Sequence, residues 1–304
     1  MSADDVKLYD LVPPADEVAL AQEMDHLLGQ MAPGLDVAPL HEALADAVRL
    51  YHGRYPGYRA SNTKYHDLGH ALAATLALLR MAHGAHLGGE GLPARVLRLA
   101  VIAALFHDAG LIQTAGDTEG TGAKYTIGHE LRSMAFVSYH LSQRGYPAED
   151  IERCAQIIAA TILGRSLAEI PFRDEQTRRA GQMMGAADLL AQMADRMYLE
   201  KVLLLYQEFE EARLPGFSYE LDLLRQTEGF YEHQAKKRLN QELGGVQRFM
   251  RPHFRARWGV GRDLYQEAVE RNLDYLRSIL RECEQSYREH LRRGGIVHHL
   301  ANGA

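Results

Sequence analysis

Cysteine is nearly absent from this chain: two residues, Cys154 and Cys283, in 304. Two thiols so far apart make no disulfide framework, and a reducing cytoplasm is the compartment they imply. There is no basic excess either. Lys and Arg number 34 against 40 Asp and Glu, a net charge of −6, which excludes the broad basic footprint of an extended nucleic-acid binder. No apolar run reaches the ~20 residues of a membrane span, and Met1-Ser-Ala-Asp-Asp-Val-Lys7 lacks the basic-then-apolar pattern of a secretory leader. A Pro/Gly/Ser-rich linker is missing too, so one large core is expected, although 304 residues would accommodate two domains of about 150. Nowhere do apolar and polar residues alternate as in a half-buried strand, and no segment repeats. The expected fold is all-α.

What is present is helical periodicity broken by Pro and Gly. Pro13-Pro14-Ala-Asp-Glu17 opens a first helix, Pro33-Gly34 ends it, and a second is expected over Leu40 to Tyr51. An apolar run over Ala71 to Met81 and a buried helix over Ala94 to Phe106 follow. Gln113 to Thr126 has no period and reads as a surface loop forming a rim or lid. Helices are then expected over Ile127 to Arg144, Ala148 to Leu163, Thr177 to Ala212 (one long helix bent at Gly181 or Gly185), Tyr219 to Gly244, Val246 to Arg257 and Asp263 to Leu291. In terms of organisation, 1–60 are N-terminal helices packed on a core, 61–213 the core, 214–293 a helical extension of the same domain, and 294–304 a loose tail.

The chemistry concentrates where the apolar run Leu99 to Leu111 meets His107-Asp108. Desolvating a carboxylate beside an imidazole is costly unless a cation compensates, and a divalent metal is the simplest partner. His66 and His70, four residues apart, share one face of a helix and suit a neighbouring acid/base and a metal ligand. Asp188 lies among small residues, Gly185-Ala-Ala-Asp-Leu-Leu190, where another helix can approach closely. Two imidazoles and two carboxylates suit Zn, Mn or Fe, and carboxylate-rich positions also admit Mg. Lys124, Arg132 and Arg165 are candidates for phosphate contact, and Gln192, one turn after Asp188, for a hydrogen bond to substrate; the alternative for each is an ordinary solvated or structural side chain.

His, then His-Asp, then Asp on successive helices resembles the HD superfamily of metal-dependent phosphohydrolases, over about Asn62 to Glu211. The resemblance implies a bundle of that type with added N- and C-terminal helices, and metal ligation by His70, His107, Asp108 and Asp188. Tyr65-His66-Asp67-Leu68-Gly69-His70 is similar to the Tyr-His-Asn-x-x-His motif of the cyclic-nucleotide phosphodiesterases, which implies that His66 protonates the leaving oxygen; Asp67 departs from the motif's Asn. His129-Glu130 and Ile157-Ile-Ala-Ala-Thr161 resemble segments that hold a second metal or its water, which extends such roles to His129, Glu130 and Thr161. Together these imply one or two divalent ions and a small-molecule phosphoester substrate, in a (cyclic) nucleotide phosphodiesterase or nucleotide phosphatase compatible with a homo-oligomer. Two other classes stand beside this: a di-iron oxygenase of the HD fold, which would place a His between Ile157 and Arg165 where none occurs, and a non-catalytic nucleotide-sensing module.

Overall fold

A computed structural model describes residues 4–301. It is all-α. The helices are α1 (Glu17–Met31), α2 (Ala38–Tyr51), α3 (Leu68–Leu87), α4 (Ala94–Phe106), α5 (His129–Ser142), α6 (Ala148–Ala159), α7 (Glu175–Met193), α8 (Tyr198–Glu211), α9 (Glu220–Phe230), α10 (Met250–Trp258), α11 (Leu264–Glu282), α12 (Tyr287–His290) and α13 (Ile296–Ala301). Only two isolated antiparallel bridges, His52 with Ala60 and Tyr58 with Thr114, stand outside helices and turns among the described residues.

The centre is α3, apolar on nearly every face and therefore surrounded. It packs against α1, α4, α7 and α10. Asp67 caps it by accepting the His70 amide at 2.8 Å. Beside it, α4 is buried on all sides by α2, α3, α6 and α7 and ends at Phe106, so that His107 and Asp108 emerge inside the bundle. The chain then passes under α5. A Cβ on Gly110 would stand 1.9 Å from the His129 carbonyl oxygen, so only glycine allows this crossing.

Several elements differ from the sequence reading. The expected helix over Thr177 to Ala212 is two, α7 and α8, divided at Ala194–Met197, with α7 continuous through Gly181 and Gly185. Asp195 makes the break: its carboxylate accepts the Met197 amide at 2.8 Å and pairs with Lys201 at 2.7 Å, a local turn that competes with helix. Gly185 serves packing instead, since a Cβ there would lie 2.7 Å from the Ala160 carbonyl. After α9 the chain winds into two π-helical turns, Tyr231–Ala235 and Arg238–Glu242, and the segment from Val246 starts as a 3-10 turn before α10. The last long helix stops at Glu282, not Leu291. The tail expected to be loose carries α13, whose Val297 is buried; residues 302–304 lie outside the described ones.

The segment Gln113 to Thr126 contains a 3-10 turn, Gly122–Tyr125, and is tied down. The Thr121 amide and hydroxyl both donate to Glu211 at 2.6 Å, and Asn62 bridges to Gln113 and to the Gly122 amide at 2.8 Å each. No helix among the described residues is long and apolar enough to cross a membrane.

Candidate metal centre

Three distant stretches meet at one point. His70 comes from the first turn of α3, His107 and Asp108 from the end of α4, and Asp188 from the middle of α7. His70 Nε2 lies 3.0 Å from Asp188 Oδ1, 3.3 Å from His107 Nε2 and 3.5 Å from Asp108 Oδ2. His107 Nε2 lies 3.3 Å from Asp108 Oδ2 and 3.6 Å from Asp188 Oδ1. Ligand atoms sharing one dication at about 2.1 Å stand about 3.0–3.4 Å apart, close to the spacing of this set.

The hydrogen bonding agrees with a cation. His107 Nδ1 donates to the Ala104 carbonyl at 2.8 Å, which leaves Nε2 as a lone pair in the neutral ring and aims it at His70 and the carboxylates. Asp108 Oδ2 is buried with no hydrogen-bond partner. A carboxylate oxygen orphaned inside a bundle is costly, and two nitrogens and a second carboxylate converge where it points. His70, His107 and Asp108 could therefore hold a metal ion, and Asp188 stands beside both imidazoles to close the set. Without the ion, protons substitute for it. Burial opposes charge on His107, but Asp108 and Asp188 outweigh it and raise its pKa to about 9. Asp108 and Asp188, also penalised by burial, are pulled below the ordinary carboxylate range chiefly by His107.

A second pairing adjoins the first. His129 Nδ1 donates to the Thr126 carbonyl at 2.8 Å, and its Nε2 faces Asp108 Oδ1 at 3.3 Å. Against burial, the Asp108 carboxylate raises the pKa of His129 to about 9. Asp108 thus presents one oxygen to each group, an arrangement that could bridge two ions.

His66 stands next to both, its ring centroid 6.0 Å from that of His70 and 5.9 Å from that of His129. Its partner, missed in the sequence, is Glu208 on α8, a buried carboxylate. Glu208 accepts from His66 Nδ1 at 2.6 Å and from the Tyr65 amide at 2.8 Å. Burial lowers the His66 pKa, but Glu208 more than reverses this and holds it above the ordinary value. Nothing in the sequence singles out Glu208, which sits in the acidic end of α8, Gln207-Glu-Phe-Glu-Glu211. Asp67, in the place of the motif's Asn, caps α3 and leaves the orienting of His66 to Glu208.

His66, Asp108, His129 and Asp188 form the floor of a cavity of about 690 Å³, while His70, His107 and Glu208 are not part of its lining. Of the other expected site residues, Glu130, Thr161 and Gln192 line it. Lys124 and Arg132 do not. Lys124 is held by Asp117 at 2.6 Å, and Arg132 lies over the Tyr125 ring at 3.6 Å while donating to the Gly110 carbonyl at 2.6 Å. Both brace the strapped segment, so their expected substrate contacts are corrected. Arg165, donating to the Glu169 carbonyl at 3.1 Å, is also absent from the lining. Sequence reasoning missed the outer wall, built by α8, α9 and the chain between them. It also missed Arg238, 4% exposed, which donates to the carbonyls of Ala160, Ile162, Leu163 and Arg165 and fixes the turn bearing Thr161.

The model of the family described as Npun_R2479-like matches residues 56–248, well over half of the chain. The chain belongs to the Npun_R2479-like family. The matched region of this Npun_R2479-like protein runs from just before His66 to beyond Gln234, and so contains the whole His/Asp cluster, Glu208 and every residue lining the cavity. No curated protein matches the chain.

Proposed function

We propose that this protein is a metal-dependent phosphohydrolase of the HD type, acting on a small phosphoester such as a phosphodiester or a nucleotide. The observation that carries the reading is the orphaned Asp108 Oδ2, facing two imidazoles and a second carboxylate at the floor of a cavity that His66 also lines. His70, His107, Asp108 and Asp188 would hold a Mn, Mg, Zn or Fe ion, with His129 and Asp108 Oδ1 offering ligands to a second. A divalent cation there would supply a hydroxide nucleophile near neutral pH and offset the charge on the phosphoryl oxygens.

The protein's own groups do the rest. His66 Nδ1 is committed to Glu208, which leaves Nε2 to face the substrate. The water oxygen bonds to phosphorus as the bond from phosphorus to the alcohol oxygen breaks. The departing oxygen keeps that electron pair and takes the proton held on Nε2, and the proton shed by the water restores the imidazolium. Glu208 favours the charged ring throughout. Such proton transfer typically contributes 10²–10⁴-fold. Gln192 lines the cavity one turn beyond Asp188, in reach of a substrate seated over the cluster. The two free cysteines, Cys154 and Cys283, suit a cytoplasmic setting for this activity.

The test is phosphate or alcohol release from p-nitrophenyl phosphate and bis(p-nitrophenyl) phosphate with Mn, Mg, Zn and Fe. Metal-dependent turnover, lost in Asp108→Ala, supports the reading. No turnover with any of the ions overturns it. Two irons per chain with substrate-dependent oxygen uptake would install the oxygenase in its place.

A further inference from the structure

None of the 34 Lys and Arg residues lines the cavity over the His/Asp cluster. Its wall above the floor is apolar: Leu189, Val202, Leu205, Phe209, Phe217 and Phe230. The apolar surface continues to the rim, where Leu163 is 42% and Ile127 71% exposed. The charges are confined to the floor. There, one divalent cation would cancel Asp108 and Asp188, and a second, beside His129 and Asp108 Oδ1, would be offset in part by Glu130. A nucleoside triphosphate brings three or four negative charges, and sites for such groups are built from Lys, Arg or a glycine-rich cradle of amides. This cavity has neither cation. Its volume of about 690 Å³ holds roughly twenty heavy atoms at the share a water takes in the liquid.

Resting on the phosphohydrolase reading, we infer that the substrate is an ester of a single phosphoryl group with an apolar alcohol, alkyl, prenyl or aryl, whose hydrocarbon body fills the space between α8 and α9. The phosphoryl group lies on the floor, and the ester oxygen faces His66. The polar side chains on the wall, Tyr198, Gln226, Thr227, His233 and Gln234, include no Lys or Arg to hold a second phosphate and suffice for one or two hydroxyl or carbonyl groups along the chain.

The experiment uses the full chain loaded with Mn. Turnover is measured on n-alkyl phosphates from ethyl to octyl, with ATP and cyclic AMP as comparators. In parallel, calorimetry follows binding of the matching n-alkyl phosphonates, which cannot be hydrolysed. The expected result is a kcat/KM and a phosphonate affinity that rise about fourfold per added methylene until the cavity fills. Octyl phosphate should exceed ATP and cyclic AMP by at least a hundredfold. Leu205→Lys, at a partly exposed wall position, should flatten the chain-length dependence. A flat series, or a preference for ATP or cyclic AMP, overturns the inference while leaving the phosphohydrolase reading intact. Chain-length-dependent phosphonate binding without turnover of any ester overturns that reading and leaves the apolar occupant standing.

Discussion

At the residue scale, the chemistry depends on which nitrogen each histidine commits to the protein. His107 and His129 each spend Nδ1 on a backbone carbonyl, and His66 spends its Nδ1 on Glu208. Glu208→Gln therefore leaves the proposed metal ligands in place while removing the charge that favours the His66 imidazolium. We expect kcat to fall by about 10²–10³, metal content to stay unchanged, and the alkaline limb of the pH–rate profile to move to lower pH. A profile that keeps its limb, measured beside metal analysis, would leave Glu208 a structural role only. That His70, His107, Asp108 and Asp188 would meet was legible in the sequence because a His four residues from another, a charged dipeptide closing an apolar run, and a lone carboxylate among small residues are each conspicuous. Glu208 was not legible. Its register position reads equally as a solvated carboxylate, and only the crossing of α8 over residues 65 and 66 gives it a partner. Lys124 and Arg132 misled for the opposite reason: a cation near a site-bearing loop looks available until its Asp or Tyr partner is seen.

At the element scale, precision comes from close helix crossings. Gly110 lets the chain after Asp108 run against the first turn of α5, and Ser133 Oγ accepts its amide at 2.8 Å. Gly110→Ala would drive a methyl group into the backbone of His129. The expected cost is about 1–3 kcal/mol in chemical denaturation, with at least a tenfold loss of metal affinity because the Asp108–His129 pairing shifts. Wild-type affinity in a folded Gly110→Ala protein would disconnect α5 from the centre. Helix positions were readable from periodicity, and α4 has the expected bounds, Ala94–Phe106. The break between α7 and α8 was hidden because Asp195 and its neighbours fit a helix as well as a turn; the Met197 amide and Lys201 decide it. Periodicity also could not distinguish α-helical from π-helical winding after Phe230.

For the whole molecule, the His/Asp cluster couples stability to pH, and an ion bound as proposed would couple it to metal as well. In the metal-free protein, His107 and His129 are raised from 6.5 to about 9. A raised histidine pKa contributes stability that is complete below 6.5 and is lost as pH climbs through about 9. The depressed Asp108 and Asp188 act at the other end: their contribution is present above 3.8 and is lost as pH falls below it. Thermal denaturation without metal should therefore give a higher Tm at pH 6 than at pH 9. Because ligation needs neutral imidazoles, the ion displaces these protons, and saturating Mn should reverse the order. A Tm flat from pH 6 to 9 would show that the imidazoles are neutral without metal. The all-α class followed from the missing strand pattern, but the apolar cavity did not. Its wall is assembled from α8, α9 and the chain between them, side chains that in sequence look like ordinary core.

The most direct test is metal bound per chain after loading with Mn and desalting, in the wild type and in Asp108→Ala purified alongside it, with circular dichroism to establish that both are helical. The wild type should retain one or two ions and the variant fewer than about one in ten chains, since removing Asp108 would take a carboxylate oxygen from each pairing. Equal retention by the two folded proteins, or none by the wild type, would contradict a metal centre built on His70, His107, Asp108 and Asp188.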